Sequence, residues 1–565
     1  MENLYDELWG RDSSRYVIEN RILVPRPQQG VQPGYKIPLD QAFPDGLPLL
    51  DYPEMSEEPF RMMVIASRVP VGKQVFLVRR EYDELLSKLE ETEQKRFSNT
   101  GNLRDGVPLD YQVGGQPGCG KSMFLLYLLA TRLLQRKPTV YRRNDGRCFY
   151  FDETHKGVKL SAQDLFDMAD KQNERIWILT DAPLEDESWG TEDYEWFIVL
   201  AVSPTLAKKS SVWEKGRSPR VYYMSNWRWG EIFIALCLRN REESISSEKL
   251  ARLYTVYNYL GPIARLCLNT INLDTSNEFH QTWEQYIGKV DREIVKYVGH
   301  GTVQTLNNSV DTMCSHCIAL MIPTPSHVNY EIEITTRWIA YRFLEIGNQF
   351  SRQKCFELYQ QLAGQSKLRG GAGWIFEAYA HDWFNRGGIF FAHELPVQAH
   401  PTPLLQFHTD PLTSPIPNYF TTAANLIAQV HISGQPGILS QAIGKYFLPC
   451  AHNQASFDGL VFINSNTVVL LQMTVAETHE IKEKGLRDLC RVLPSIIKNL
   501  NIVFVIPSDR RDHYSKLQKV PDAMTLEELH HRHIRQFRLV LTDESMRLSH
   551  ESMQSSYVSM QLSGS

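Results

Sequence analysis

The stretch Val113–Ser122 reads VGGQPGCGKS and contains the pattern G-x-x-x-x-G-K-[ST] from Gly115 to Ser122. Glycines at this spacing let successive backbone N–H groups turn inward around a phosphate. The lysine can then reach the β- and γ-phosphates, and the hydroxyl can hold Mg²⁺. The nucleotide-lining candidates are therefore Gly115, Gln116, Pro117, Gly118, Cys119, Gly120, Lys121 and Ser122. Pro108–Val113 can end a strand, and the apolar run MFLLYLLATRLL after Ser122 reads as a helix whose N-terminus would face the anion. This is an ATP or GTP site by pattern, and ATP with Mg²⁺ is the expectation.

A metal-holding aspartate is the next requirement. Ile176–Thr180 is an apolar run that ends in Asp181, the arrangement of a strand delivering a carboxylate to the Mg²⁺ beside Ser122. Asp-Ala-Pro is also good turn chemistry, so a turn role stays open. No glutamate follows Asp181 directly, which leaves Glu185 and Glu187 as the loop candidates for polarising water. The run Trp196–Val202 ends at Ser203, a place for a polar γ-phosphate sensor. The basic residues Lys208, Lys209, Lys215, Arg217 and Arg220 read as a loop, offering either a charge-stabilising arginine or a solvated face. Ser244–Leu268 reads as helical and closes with Gly261-Pro262-Ile263-Ala264-Arg265. That turn looks like the G-x-P-R-type turn of a nucleotide lid, with Arg265 as the γ-phosphate-sensing candidate, or else it is a glycine cap followed by proline.

A second constellation lies towards the carboxyl terminus. Trp374–Asn385 reads as a helix bearing Glu377, and Ile389–Glu394 as a strand. Phe457-Asp458-Gly459 leads into a strand Leu460–Ile463, a turn at Asn464–Asn466 and a strand Val468–Val475 carrying Gln472 and Thr474. Thr478 then caps a helix expected from His479 to about Asn499. This order resembles the restriction-endonuclease-like core, in which carboxylates bind Mg²⁺ and a lysine positions the attacking water. On that resemblance Asp458 matches the metal aspartate and Glu377 the helical glutamate, while Gln472 stands at the second acid and Thr474 at the lysine. Residues i and i+2 of a strand share a face, and an amide carbonyl can serve a hard cation. His479 or Lys482 could reach back to replace the lysine. The plain alternative is a turn aspartate, two half-buried strand residues and a surface helix charge.

The elements that must position these groups alternate. Thr139–Arg142, Arg147–Phe151, Ile176–Thr180 and Trp196–Val202 read as strands with helical stretches between several of them, which indicates a mostly parallel α/β sheet. Residues 1–58 carry seven of the prolines, from Pro25 to Pro53, and are expected as extended chain. Residues 59–240 are then the nucleotide core, which opens with strands at Arg61–Ala66 and Gln74–Val78 and a helix over Arg80–Phe97. Residues 241–365 read as a helical lid and connecting helices, including Phe279–Val298 and Thr335–Leu362. The glycine-rich Lys367–Gly373 marks the expected domain boundary, with 366–545 as the second α/β domain after it and a polar tail at 546–565. A polar, proline-containing insertion is expected up to about residue 440, with later strands at Ile502–Ile506 and Gln536–Leu541.

Bulk properties narrow the field. A net charge of −5 gives no global attraction to nucleic acid, so any such contact needs a local basic face. One candidate strip comprises Lys482, Lys484, Arg487, Arg491, Lys498, Arg510 and Arg511. The odd count of nine cysteines, with no secreted-framework spacing, suits a reducing compartment. Cys314-Ser-His-Cys317 is a lone C-x-x-C without a second pair, so a zinc site is not expected. The acidic opening MENLYDELWGRD has no apolar core, so no signal peptide is expected, and no apolar run is long enough to span a bilayer. An intracellular protein, cytoplasmic or nuclear, is the expectation; export by a non-classical route stays open.

Together, GQPGCGKS before an apolar helix, Trp227–Glu231 as W-x-x-x-E, the G-P-x-x-R turn, and FDG…LLQMTVAETHEIKEKG resemble the Crinkler/retrotransposon-hot-spot family of fungi, oomycetes and other eukaryotes. The resemblance covers roughly residues 60–510. It implies a P-loop ATPase with a helical lid, fused to a restriction-endonuclease-like α/β domain. It further implies that ATP controls a metal-dependent DNA nuclease, with DNA as candidate partner and a homo-oligomer as candidate assembly. The alternative is a signalling ATPase whose nuclease-fold domain has lost catalysis and only binds nucleic acid or protein.

Overall fold

The computed structural model describes residues 1–26, 54–67, 74–98, 110–169, 176–186, 189, 196–202, 210–240, 245–299, 317–350, 359–360, 369–397, 403–413, 418–420, 426–427, 430, 439–449, 457–476, 481–512, 514–519 and 532–541. The chain is mixed α/β and divides into two compact units. The first holds most of the described residues up to Thr336; the second holds those from Arg337 on, together with residues 294–299.

In the first unit the central sheet has seven strands, in the order Arg220–Met224, Tyr111–Gly115, Phe197–Ala201, Trp177–Thr180, Thr139–Arg142, Cys148–Phe151, Lys156–Leu160. The first five run parallel, and the last two complete the sheet as antiparallel additions. Strands such as FIVLA and WILT are buried along their whole length, as parallel strands covered on both faces must be. The helix Lys121–Leu134 follows Tyr111–Gly115 and is buried nearly all round, with Phe124 to Ala130 in the core. Tyr111–Gly115 has parallel neighbours on both sides, so the chain leaving it stands at a point where the strand order reverses. Open α/β sheets bind ligands outside the carboxyl ends of strands at such a point.

Several local elements differ from what the sequence suggests. The opening residues are not extended: Glu2–Leu8 is a helix whose Leu4, Tyr5 and Leu8 spacing buries one face, and Val17–Arg26 pairs antiparallel with Glu54–Val64. The prolines that suggested extended chain begin only at Pro25, and the densest part falls outside the described residues. Residues 275–365 are not helical throughout. Ala319–Pro323 and Tyr330–Ile334 form a hairpin, and YEIEI has the period-two alternation of a half-buried strand. The basic segment around 208–220 is no loop where it is described: Ser211–Arg217 is a helix and Arg220–Met224 is the edge strand of the sheet.

The second unit is built on an eight-stranded mixed sheet. Its order is Leu404–Thr409, Gly388–Glu394, His533–Leu541, Asn499–Pro507, Thr467–Met473, Gly459–Asn464, Tyr446–Pro449, Asn418–Phe420. The three strands from His533–Leu541 to Thr467–Met473 are mutually parallel. The expected hairpin is present, with Gly459–Asn464 antiparallel to Thr467–Met473. Strands at Leu404–Thr409 and Asn418–Phe420 occupy what was expected to be a polar insertion. Within the glycine-rich stretch expected as a chain break, Gly370, Gly371 and Gly373 lie inside the helix Arg369–Asn385, where packing outweighs the roughly 1 kcal/mol cost of each helical glycine. The helix expected from His479 to Asn499 is only Glu483–Val492. Pro494 disfavours the helical region for Leu493, which caps the helix in extended conformation at φ −63° and ψ 131°.

Candidate functional site

The glycine loop emerges from the strand Tyr111–Gly115 and feeds directly into the helix at Lys121. Gly115, Gly118 and Gly120 have φ of 133°, 89° and 108°, a region in which a side chain is strained. A Cβ at Gly118 would stand 2.8 Å from Cβ of Arg265, so the loop and the Gly261–Arg265 turn approach closely. Lys121 is buried, and its Nζ donates to the carbonyls of Gly115 at 2.8 Å and Gln116 at 3.0 Å. Burial pushes its pKa down, and the Arg265 charge acts in the same direction. Ser122 Oγ lies 3.3 Å from Oδ2 of Asp181, the residue just beyond the strand Trp177–Thr180. Burial raises the Asp181 pKa, against the Ser122 hydrogen bond and the charges of Arg143 and Arg142.

The sequence motif W-x-x-x-E backs this loop from behind. Trp227 Nε1 donates to the Cys119 carbonyl at 2.6 Å, and Glu231 accepts from buried Arg79 at 3.1 Å. Arg79 also donates to the Cys119 carbonyl, and the Tyr82 hydroxyl donates to that of Gly120 at 3.0 Å. With those carbonyls held outward, the loop is braced in one conformation. Gln116 adds a tie that sequence reasoning missed. Its amide donates to Ala319 O and its carbonyl accepts from Met321 N, both at 3.0 Å, so one side chain satisfies the hairpin edge as a neighbouring strand would.

Other expected residues fall differently. Arg217 is no charge-stabilising arginine. It is wholly buried against Asp110, with Nε 2.5 Å from Oδ2, and Trp213 and the Ile198 N–H bind the same carboxylate. Glu185 is exposed, while Glu187, Ser203, Lys208 and Lys209 lie outside the described residues. Cys317 is a buried thiol, and Cys314 lies outside the described residues.

In the second unit the structure brings Asp458 and Gln472 together. Gln472 Nε2 donates to Asp458 Oδ2 at 2.5 Å, and the Met473 N–H donates to the same oxygen at 2.8 Å. Gln472 thus presents its amide N–H₂ to the aspartate. Thr474 is buried, and its Oγ1 accepts from Ala476 N at 3.1 Å. Glu377 is buried 3.7 Å from Nε2 of His381, whose Nδ1 shares a 2.6 Å hydrogen bond with the Tyr446 hydroxyl. The Tyr446 hydroxyl in turn sits 2.4 Å from where a Cβ on Gly459 would stand, so the residue after Asp458 must be glycine for the tyrosine to fit. Lys482 is exposed at the start of the helix Glu483–Val492, and His479 lies outside the described residues. Among the described residues no three His, Cys, Asp or Glu side chains gather as a metal site. The basic strip is partly neutralised: Arg487 pairs with Glu483, and Arg510 with Asp509.

Among the described residues no helix is long and apolar enough to cross a membrane. No family model matches the chain. It is 22% identical over 394 residues to Crinkler effector protein 16 of Phytophthora infestans, a match covering 67% of this chain and 56% of that protein. Crinkler effector protein 15 of the same organism matches with the same identity and coverage. Over two thirds of its length the chain is thus Crinkler-like in sequence, and it spans about half the length of the curated relatives it matches. Among solved structures, AMPPCP-bound DnaA from Aquifex aeolicus aligns at 12% identity with a TM-score of 0.23, over 40% of this chain and 71% of that one.

Proposed function

We propose that the first unit is a P-loop ATPase domain with a helical lid, which binds ATP with Mg²⁺, and that its nucleotide state governs the second unit. One observation carries this reading: the loop Gly115–Ser122 leaves the parallel sheet where the strand order reverses, with Ser122 beside Asp181. The residues present fit the nucleotide. Three glycines adopt left-handed φ, the helix N-terminus behind them favours an anion, and a hydroxyl and a carboxylate stand together for a hard cation. Ser122 and Asp181 would hold the Mg²⁺, which supplies charge neutralisation on the phosphates. Lys121 would exchange its two loop carbonyls for phosphate oxygens, and Arg265 would reach the terminal phosphate from the lid turn. Full-length protein should bind a fluorescent ATP analogue, and Lys121→Ala should lose about tenfold to a hundredfold in affinity, the worth of a charged hydrogen bond. Normal binding by that variant would sink the assignment.

For the second unit the corresponding proposal is a restriction-endonuclease-like domain that cuts DNA with Mg²⁺ on Asp458 and Glu377. Gln472 and Thr474 would stand beside them, and Lys482 or His479 in the lysine role. One contact favours a second reading. Asp458 Oδ2 already accepts from the Gln472 amide and the Met473 N–H, which supports a domain that has lost cleavage and docks nucleic acid or protein. Plasmid nicking that requires Mg²⁺ and disappears in Asp458→Ala would establish the nuclease. DNA retardation without nicking would establish the docking module. The effector role named for the Crinkler relatives extends to this chain as part of the same proposal, as do an intracellular site of action and assembly into a homo-oligomer.

A further inference from the structure

The strand Thr139–Arg142 lies parallel to Trp177–Thr180, with Arg142 in register with Thr180. Both strands therefore deliver their carboxyl ends to the same sheet edge, and the Arg142 guanidinium lands on the turn that presents Asp181. Its NH1 donates to the carbonyls of Ala182 at 3.1 Å and Pro183 at 3.2 Å, and lies 3.4 Å from Thr180 Oγ1. Thr180 Oγ1 in turn accepts from Ala182 N at 3.1 Å. The bonded groups bracket Asp181 on both sides. Trp189 lies against the guanidinium, 5.3 Å from ring centroid to Cζ.

This is an odd use of an arginine if it serves only to finish a strand. Its Nε is buried without a hydrogen-bond partner. The side chain is half-buried and its hydrogen bonds go to neutral oxygens, so its charge is partly desolvated without a paired carboxylate among the described residues to offset the cost. The charges that bear on it through space include that of Asp181. A group that ties both sides of the turn bearing a metal-binding carboxylate would hold that carboxylate oriented, as outer partners of metal ligands do.

We infer that Arg142 is a positioning residue for the metal half of the nucleotide site: it fixes the Thr180–Pro183 turn so that Asp181 meets the Mg²⁺ that accompanies a nucleoside triphosphate. This rests on the nucleotide reading above and adds a residue to it. Arg142 touches neither nucleotide nor metal, and its effect passes through Asp181.

The test compares equilibrium binding of a fluorescent, non-hydrolysable ATP analogue with Mg²⁺ and with EDTA, on the full chain. The variants are Arg142→Met, Arg142→Lys and Asp181→Asn, each checked by thermal melting. In the wild type Mg²⁺ tightens binding, and in Asp181→Asn that gain is lost. Arg142→Met should lose about tenfold of the Mg²⁺-dependent gain while its affinity in EDTA is kept. Arg142→Lys, which keeps the charge but cannot span the same acceptors, should fall between. The inference is overturned if Arg142→Met keeps the full gain, or if it weakens binding equally with and without Mg²⁺, as a merely structural brace would. Should Arg142→Met fail to fold, Arg142→Lys decides on the same ratio. If the wild type shows no Mg²⁺ dependence, or if Asp181→Asn keeps the wild-type gain, the metal assignment itself has failed, and the inference falls with it.

Discussion

Ser122 and Asp181 are 59 positions apart in the chain, yet Oγ of one lies 3.3 Å from Oδ2 of the other. The strand Phe197–Ala201 lies between the strands that lead to these two residues, so the contact crosses a whole strand of the sheet. If both groups serve one ion, removing either removes most of what the other contributes. Ser122→Ala and Asp181→Asn should therefore be non-additive in Mg²⁺-dependent ATP binding, with a coupling of about 0.5–3 kcal/mol. Calorimetric titration of the two single variants and the double variant measures it. Strict additivity would mean that no common ion joins them.

The Gln116 tie predicts a different kind of change. Its side chain is fully buried and supplies both a donor and an acceptor to the hairpin edge, at Ala319 O and Met321 N. Glutamate at this position can accept but cannot donate, which leaves the Ala319 carbonyl facing a carboxylate. Gln116→Glu should lower stability by about 1–3 kcal/mol, the cost of an unsatisfied buried polar group. Denaturant unfolding at neutral pH would show it, and an unchanged midpoint would mean the hairpin contact carries no stability.

What the sequence made legible follows the range of the interactions. The glycine loop and the helix Lys121–Leu134 are written within consecutive residues, and Asp181 follows an apolar run short enough to be a buried strand. Trp227 and Glu231 could be seen as a motif, but their partners could not: Arg79 and Cys119 come from distant parts of the chain. Arg142 reads as an ordinary polar strand end until its neighbour strand is known. The hairpin Ala319–Ile334 carried its period-two signal in YEIEI, which the surrounding helical stretches obscured. The glycines near 370 misled because glycine marks chain breaks only where packing does not hold a helix together. In the second unit the hairpin was visible in two short apolar runs joined by the Asn-Ser-Asn turn. The hydrogen bond between Gln472 and Asp458 required the strand register.

The pair Arg217–Asp110 has both side chains fully buried and lies outside the nucleotide loop. Removing one partner leaves an uncompensated charge, so Arg217→Met should cost about 3–5 kcal/mol. Asp110→Asn should cost a comparable amount, since Trp213 Nε1 and the Ile198 N–H also depend on that carboxylate. The double variant should be less damaging than the sum of the singles, because no lone charge remains. Urea unfolding of the set tests this; two small, additive losses would show that water reaches the pair.

A pH effect is expected from His393, in the strand Gly388–Glu394, whose backbone pairs with Arg538. Burial pushes its pKa down, and the charges of Arg538 and Arg511 push the same way. The folded protein thus favours the neutral imidazole, while the unfolded chain takes up a proton near the ordinary value of about 6.5. Stability from this group is present above that value and is lost as pH falls through the depressed folded-state pKa. The second unit should therefore unfold at lower urea concentration at pH 5.5 than at pH 7.5. In His393→Gln, which cannot take the charge, part of that difference should disappear. Urea midpoints of both proteins at the two pH values provide the measurement. An equal acid-side loss in the variant would assign the effect to other groups.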